Sequence, residues 1–241
     1  MRKKLRPLKS PRVKGLSLDY EKRLIRLIKR MASNWDALCY AVQNLFEAQR
    51  GDELQYLVAR FVEGEFYTPA TQFAKQQTLK AYYAGQTRAR ATLKGIGVGA
   101  QVGPLPPDPQ VLSILNNRNI SAIMGINDEL AKRVKESLTT GILKGEGMER
   151  LAERLSEDTS IPITRARIVA RTETMYAFNN AALTEFERFG IHTVEWLTAE
   201  DERTCKRCGP LNHKVFKMGQ QPDCPLHPNC RCTLEAILEE L

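Results

Sequence analysis

The chain contains 241 residues, enough for one or two domains with a buried core, and 42% of them are apolar, as in folded rather than disordered proteins. No apolar run approaches the roughly 18 residues that a membrane span needs, and the N-terminus lacks the apolar core of a secretory signal. We therefore expect an intracellular protein without a membrane segment. The net charge of +8 favours an acidic partner without naming it.

Positive charge is concentrated in the first 50 residues, which contain 13 Lys or Arg and 4 Asp or Glu. The first 14 residues carry seven of these cations, two prolines and no acid. We predict a flexible basic arm over residues 1–16 that binds phosphates or another acidic surface by counterion release. A solvated tail that only aids solubility is the alternative. The contact residues would be Arg2, Lys3, Lys4, Arg6, Lys9, Arg12 and Lys14.

Residues 17–94 form a predicted helical region. Apolar residues recur at alternating steps of four and three from Leu24 to Leu45, so one long helix is predicted over about 18–50. Cys39 lies within this helix and is predicted to be a small core residue rather than a ligand.

A second helix is predicted around Leu54, and a third from Thr68, as its N-cap, to about Lys94. The glycines and prolines of residues 95–109 cannot propagate a helix. They also lack the Lys-Ser or Lys-Thr pair of a phosphate-binding loop, so a linker is predicted. A further helix is predicted to start at Asp108.

Residues 110–241 form the predicted C-terminal domain, with a Cys/His metal knuckle over 201–234. Helices are predicted at about 121–139, 147–156 and 162–189, strands at 192–198 and 214–218, and a third strand or short helix at 232–238. The predicted fold class is mainly α (α+β): long helices occupy the N-terminal two-thirds, and a small zinc-stapled domain with a β-hairpin follows.

The knuckle contains five of the six cysteines within 28 residues, in the pattern C-x2-C, 18 residues, then H-x2-C-x-C. Thiolates and imidazoles are the preferred ligands of zinc, and clustered cysteines in a reducing compartment favour metal over disulfides. The predicted structural Zn²⁺ ligands are Cys205, Cys208, His227, Cys230 and Cys232.

A tetrahedral site needs four ligands, and the side chains of an extended C-x-C point to opposite faces. The preferred set is therefore Cys205, Cys208, His227 and one of Cys230 and Cys232, with Cys224 in reserve. A late disulfide and reduced cysteines in a small core are the alternatives to zinc. The sequence contains no H-E-x-x-H or H-x-E pair, so we predict no enzymatic activity.

The run from Ala170 to Cys232 resembles the C-terminal domain of the Mu protein F-like family of phage head morphogenesis proteins. The matching pieces are ARTET at 170–174, Asn180 in the same helix, the tryptophan strand with its extension at 194–208, and HPNCRC at 227–232. The positions carried over besides the cysteines are Arg171, Thr172, Glu173, Trp196, Asp201 and Arg203. Cys224 is additional to the family pattern.

The resemblance implies a non-enzymatic minor capsid protein that enters the phage head during assembly in the host cytoplasm. Its implied partner is the portal protein, and the major capsid or scaffolding protein and packaged DNA are further candidates. The rival hypothesis is a zinc-containing DNA-binding protein or nuclease that acts on phage DNA.

Overall fold

The structure, a computed structural model, describes residues 11–98, 105–157 and 160–238. In this described part, seven α-helices precede three short β-strands, which confirms the predicted fold class. The helices are α1 Pro11–Ala32, α2 Trp35–Glu47, α3 Leu54–Val62, α4 Thr68–Gly95, α5 Pro109–Leu143, α6 Met148–Glu157 and α7 Ser160–Arg188. The strands are β1 Thr193–Leu197, β2 Val215–Lys217 and β3 Thr233–Ile237.

The chain divides into two compact units. Unit 1 contains the described residues of Met1–Asp19, Gln76–Asn117 and Ala170–Leu241. Unit 2 contains the described residues of Tyr20–Lys75 and Arg118–Val169. Each unit is thus assembled from segments that are far apart in the sequence.

The apolar stripe predicted from Leu24 onward is buried in unit 2, but it belongs to two helices rather than one. The predicted single helix over 18–50 is wrong, because α1 ends at Ala32 and α2 begins at Trp35. The hydroxyl of Ser33 donates to the Arg30 carbonyl at 2.7 Å, and the amide of Asn34 donates to Glu65 at 3.0 Å. These side chains favour a break because they offer local alternatives to helical hydrogen bonding.

The prediction that Thr68 caps the start of a helix is also wrong. A single π-helical turn, Glu63–Tyr67, joins α3 to α4, and the Thr68 N–H donates to the carbonyl of Glu63. Thr68 therefore lies inside a continuous helical run. Cys39 is 1% exposed, as predicted for a small core residue.

The predicted helix start at Asp108 is confirmed. Its carboxylate accepts hydrogen bonds from the N–H groups of Gln110 at 2.7 Å and Val111 at 3.3 Å. From there α5 continues to Leu143 and includes the segment predicted separately at 121–139.

Unit 1 is built around the second half of α7 and a three-stranded antiparallel sheet in the order β2-β1-β3. The helix ends at a Schellman motif: Gly190 has φ +72°, and the Ile191 N–H donates to the Phe186 carbonyl at 2.9 Å. The chain then enters β1, whose Trp196 lies opposite Leu234 of β3. Trp196 is fully buried.

Two buried ion pairs connect α4 to the rest of unit 1. Glu235 of β3 accepts hydrogen bonds from Arg88 at 2.6 Å and from the Thr92 hydroxyl at 2.6 Å. Glu185 of α7 is completely buried and pairs with Arg90 at 2.9 Å. Breaking the Arg88–Glu235 pair would leave an uncompensated buried charge, whereas Glu185 would keep Arg188 at 2.9 Å. These contacts fix which side chains of α4 meet the sheet and α7.

Candidate metal centre

The first half of the candidate centre is a tight turn at Cys205-Lys206-Arg207-Cys208. The Cys208 N–H donates to the Cys205 carbonyl at 3.1 Å and lies 3.4 Å from the Cys205 sulfur. The N–H of Gly209 donates to the same carbonyl at 2.9 Å. Both sulfurs therefore point toward the same region from one turn.

The second half repeats this turn at His227-Pro228-Asn229-Cys230. The Cys230 N–H donates to the His227 carbonyl at 3.1 Å, the same distance as in the first turn. Asn229 adopts φ +63°, a left-handed conformation that asparagine tolerates better than most residues. The two turns bring Cys205, Cys208 and His227 together, with all donor atoms within 4.8 Å of one another.

The imidazole of His227 is oriented for binding a metal through Nε2. Its Nδ1 lies 2.7 Å from the Pro228 carbonyl oxygen, which can only accept a hydrogen bond, so Nδ1 carries the proton. Nε2 then presents its lone pair 3.1 Å from the Cys205 sulfur and 3.2 Å from the Cys208 sulfur. A backbone carbonyl that fixes the tautomer in this way is a common second partner of zinc-binding histidines.

A second group of donors shares Cys208 with the first. Cys208, Cys230 and Cys232 are buried, and their sulfurs also lie within 4.8 Å of one another. The Cys208 and Cys230 sulfurs are 3.8 Å apart. The cysteines and histidine predicted as ligands thus form two overlapping groups of three.

These distances allow a direct test of whether zinc fits. Tetrahedral Zn²⁺, with bonds of about 2.3 Å to sulfur and about 2.0 Å to nitrogen, separates two sulfurs by about 3.8 Å and a sulfur from a nitrogen by about 3.5 Å. The Cys208–Cys230 separation equals the first value, and His227 would need to withdraw by about 0.4 Å to meet the second. The donors within each group therefore lie close to tetrahedral spacing. Cys230 is not within 4.8 Å of both Cys205 and His227, so one ion bound by all four requires the two turns to move closer together.

The four candidate thiols, Cys205, Cys208, Cys230 and Cys232, differ in pKa. A hydrogen bond from the Cys232 thiol lowers the pKa of Cys230 to about 5, and the Cys208 N–H lowers the pKa of Cys205 to about 7. Burial raises the pKa of Cys208 to about 12, whereas donation to Cys230 raises the pKa of Cys232. Metal binding requires deprotonated ligands, so an ion held by Cys208 would displace its proton, whereas the Cys232 thiol donates to the Cys230 sulfur.

Cys224 lies outside both groups of donors. Burial raises the pKa of its thiol well above the usual value, and its sulfur donates to the Cys232 carbonyl at 3.3 Å. The amide of Asn179 donates to that carbonyl at 3.1 Å and lies 3.3 Å from the Cys224 sulfur. Cys224 is thus part of the core beside the centre.

Asn179 was not identified from the sequence, which singled out the adjacent Asn180. Asn179 is completely buried and joins α7 to the two cysteine segments, whereas Asn180 bonds to the Tyr176 carbonyl of its own helix. The helical phase of α7 could have distinguished them, because the buried Met175, Ala182 and Phe186 share a face with Asn179.

The residues carried over from the family motif lie around the centre. The Thr172 hydroxyl accepts a hydrogen bond from the Asn229 N–H at 3.1 Å, and Arg171 lies 3.5 Å from the Asn229 side chain. Glu173 is buried. The motif in α7 therefore contacts the turn that carries His227 and Cys230.

Asp201 and Arg231 connect the two knuckle segments. Two nitrogens of Arg231 donate to the two carboxylate oxygens of Asp201, each at 2.6 Å, and hold the pKa of Asp201 well below its usual range. Arg203 is mostly exposed and lies 3.5 Å from Asp201. Arg231 thereby holds the second turn against the segment that leads into the first.

His213 is outside the centre, at the start of β2. Its two ring nitrogens lie 2.7 Å from Glu195 and 2.9 Å from Glu200, and these carboxylates raise its pKa. His213 is thus held by two carboxylates and does not contribute to the candidate centre.

The predicted arm contacts Arg2, Lys3, Lys4, Arg6 and Lys9 lie outside the described residues. The helix α1 begins at Pro11, so residues 11–16 of the predicted arm are helical, and Lys14 is exposed. The predicted linker lies between α4 and α5, and its residues 99–104 are likewise outside the described part. Across the described residues, no helix has both the length and the apolarity to cross a membrane.

Comparison with known proteins supports the resemblance seen in the sequence. Residues 132–235 match the family described as phage Mu protein F like protein, which confirms the recognition of that family. The match begins earlier than the motifs, within α5, and includes both knuckle turns. The family suggests a phage head morphogenesis protein.

One relative of this chain has no known function. It is an uncharacterized protein of Methanocaldococcus jannaschii, 29% identical over 133 residues. The alignment covers 54% of this chain and 21% of that protein, so the chain spans about a fifth of its relative's length. No solved structure matches the chain.

Proposed function

We propose, from the premise that residues 132–235 belong to the phage Mu protein F-like family, that the chain is a non-enzymatic minor head protein of a tailed phage. The observation that carries this proposal is the family match over the segment that folds as α6, α7 and the knuckle. Within it, Thr172 of α7 contacts the turn that carries two of the candidate ligands. The protein would enter the head during assembly, with the portal protein as its partner near the portal vertex.

The candidate centre supports a structural rather than a catalytic role. A catalytic zinc keeps one coordination position open for water or substrate, whereas a structural zinc is closed by four protein ligands. Here the two turns offer four donors, and Cys208 and Cys230 are buried in the core of unit 1. A closed, buried ion would hold the knuckle in shape and leave no position for a substrate.

The zinc ligands in this proposal are Cys205, Cys208, His227 and Cys230, with Cys232 next to the ligands. Each matched turn supplies one pair, at positions three residues apart. Cys232 would donate its thiol proton to the Cys230 sulfur and so stabilise the negative charge of a ligand. Purified protein should contain one equivalent of zinc per chain.

Purified phage particles provide the test of the head-protein proposal. Quantitative mass spectrometry should find the chain at few copies per particle, and in assembly intermediates before DNA is packaged. Heads assembled without the portal protein should contain much less of it, because the portal is the proposed point of attachment. If the chain is missing from both finished particles and intermediates, the proposal is wrong.

A further inference from the structure

The part of α1 that belongs to unit 2 has a row of cations on its exposed face. Between positions 22 and 30 of α1, one side packs into the core through Leu24, Leu27 and Ile28. The other side is exposed and holds five cations, and we call these residues the α1 basic stripe: Lys22, Arg23, Arg26, Lys29 and Arg30.

Three members of the stripe, Lys22, Arg26 and Lys29, have no ion-pair partner among the residues that the structure describes. The nearby carboxylates are already engaged. Glu21 pairs with Arg167 at 3.2 Å, and Glu65 bonds to Asn34 at 3.0 Å while lying 3.8 Å from Arg30. The charge of these three residues is therefore available to an external anion.

Arg23 is positioned by a contact within unit 2. Its guanidinium carbon lies 5.2 Å from the centre of the Phe73 ring, a distance typical of a cation–π interaction. This contact holds one member of the stripe in place and leaves its other N–H groups free to bind.

The composition of the stripe distinguishes between two kinds of acidic partner. The centre of a protein–protein interface is poor in lysine, and its arginines are accompanied by aromatic residues and methionine. No large apolar side chain is exposed between positions 22 and 30 of α1. A surface that offers only charge suits the sugar-phosphate backbone better than an acidic protein.

The spacing of the stripe also suits duplex DNA. Residues 22–30 span about 12 Å of helix, and duplex DNA presents about seven phosphate charges over that length. The charge density of the stripe, five cations over about 12 Å, is therefore comparable to that of the duplex.

We propose that the α1 basic stripe binds the phosphate backbone of duplex DNA without reading its sequence. The choice of DNA rests on the proposed place of the chain in a phage head, but the stripe contains no residue of the predicted basic arm at 1–16. Phosphate contacts of this kind position a protein on DNA and carry no base specificity.

The test measures binding of the full chain to a fluorescent random-sequence duplex of about 30 base pairs, at salt concentrations between about 50 and 200 mM. The variant Lys22→Gln/Arg26→Gln/Lys29→Gln removes the three unpaired cations. We expect the slope of log K against log salt to fall in magnitude by about 2 to 3, since each phosphate contact contributes about 0.9.

The matched control is Lys75→Gln/Lys135→Gln/Lys144→Gln, which removes the same charge from exposed positions outside α1. Its slope should stay within about one unit of the wild type. Circular dichroism of both variants checks that the helices are intact. The two triple variants are repeated in a chain lacking residues 1–10, where the stripe effect should persist.

Three results would overturn the proposal: an unchanged slope in the stripe variant, an equal change in the control, or a stripe effect that disappears with the arm. Binding of polyglutamate with the same loss in the stripe variant would assign the surface to an acidic protein instead. None of these results affects the presence of the chain in phage heads, so the two proposals fail separately.

Discussion

The spacing of the cysteines and histidine predicts which potential ligands lie together, because C-x2-C and H-x2-C each form one tight turn. The turns at Cys205–Cys208 and His227–Cys230 follow from this spacing, with the same N–H to carbonyl hydrogen bond in each. The roles of Cys224 and Asn179 could not be predicted in the same way. Both depend on how α7 packs against the knuckle, which is a property of the folded unit rather than of the local sequence.

Single substitutions at the cysteines test the proposed ligand set. Cys205→Ser and Cys230→Ser should each abolish stoichiometric zinc, because a hydroxyl replaces one of four ligands. Cys232→Ser should retain the ion with about 10-fold lower affinity, since it alters only a hydrogen bond to a ligand. Zinc content by atomic emission and competition with a chelator measure these effects.

The control for this series is Cys224→Ser, which should retain a full equivalent of zinc. Its sulfur lies outside both donor groups, so any loss should be limited to stability. Equal zinc loss in the Cys224 and Cys205 variants would contradict the proposed ligands.

Hydrophobic periodicity predicts the buried faces of the elements better than it predicts their ends. The stripe from Leu24 to Val42 is buried as expected, although a break at Ser33 and Asn34 divides it. The same limit applies at Thr68, where a π-helical turn preserves hydrogen bonding across an apparent helix start. Helix ends depend on side chains such as Glu65, which comes from a distant part of the sequence.

The packing of α4 against α7 depends on Gly85, which is fully enclosed. A methyl group at this position would overlap the Phe178 carbonyl oxygen and would lie 2.9 Å from the Ala181 side chain. We expect Gly85→Ala to destabilise unit 1 by about 1 to 3 kcal/mol, because a backbone oxygen cannot move aside cheaply. Urea unfolding of the purified variant measures this change.

The matched control is Gly15→Ala in α1, where an added methyl group has no atom within 4 Å. Alanine is the better helix former by about 1 kcal/mol, so this variant should be as stable as the wild type or more stable. If Gly85→Ala stabilised the protein as much as Gly15→Ala does, α4 and α7 would not approach each other closely at this position.

On the scale of the whole chain, the fold class is predictable from the sequence. Segments with helical periodicity come first, and a short region with alternating apolar and polar residues and turn residues follows. The division into units is harder to predict, because residues 76–117 join residues 170–241 in unit 1. The contacts that bring them together, such as Arg88 with Glu235, connect residues that are far apart in the sequence.

Removal of zinc should affect the two units differently. The cysteine sulfurs form part of the core of unit 1, together with Trp196 and Phe186, so loss of the ion removes support from the sheet. We expect amide hydrogen exchange in β1 and β3 to accelerate by at least about 100-fold after chelation, as it would for a local loss of about 3 kcal/mol. Exchange in α2 and α3 of unit 2 should change little.

Hydrogen exchange followed by mass spectrometry makes this comparison within one sample. Chelator added to the Cys205→Ser variant is the control, and it should have no further effect. If β1 remains protected after all zinc has been removed, the centre does not stabilise the fold.

The position of β3 in the chain determines when unit 1 can be completed during translation. Its residues, Thr233–Ile237, are synthesised after every other described element, yet they pair with the whole length of β1. Until they leave the ribosome, β1 has an open edge that another chain could use as a template, and Arg88 lacks Glu235. A premature stop before residue 233 should therefore yield an aggregation-prone product rather than a slightly shorter protein.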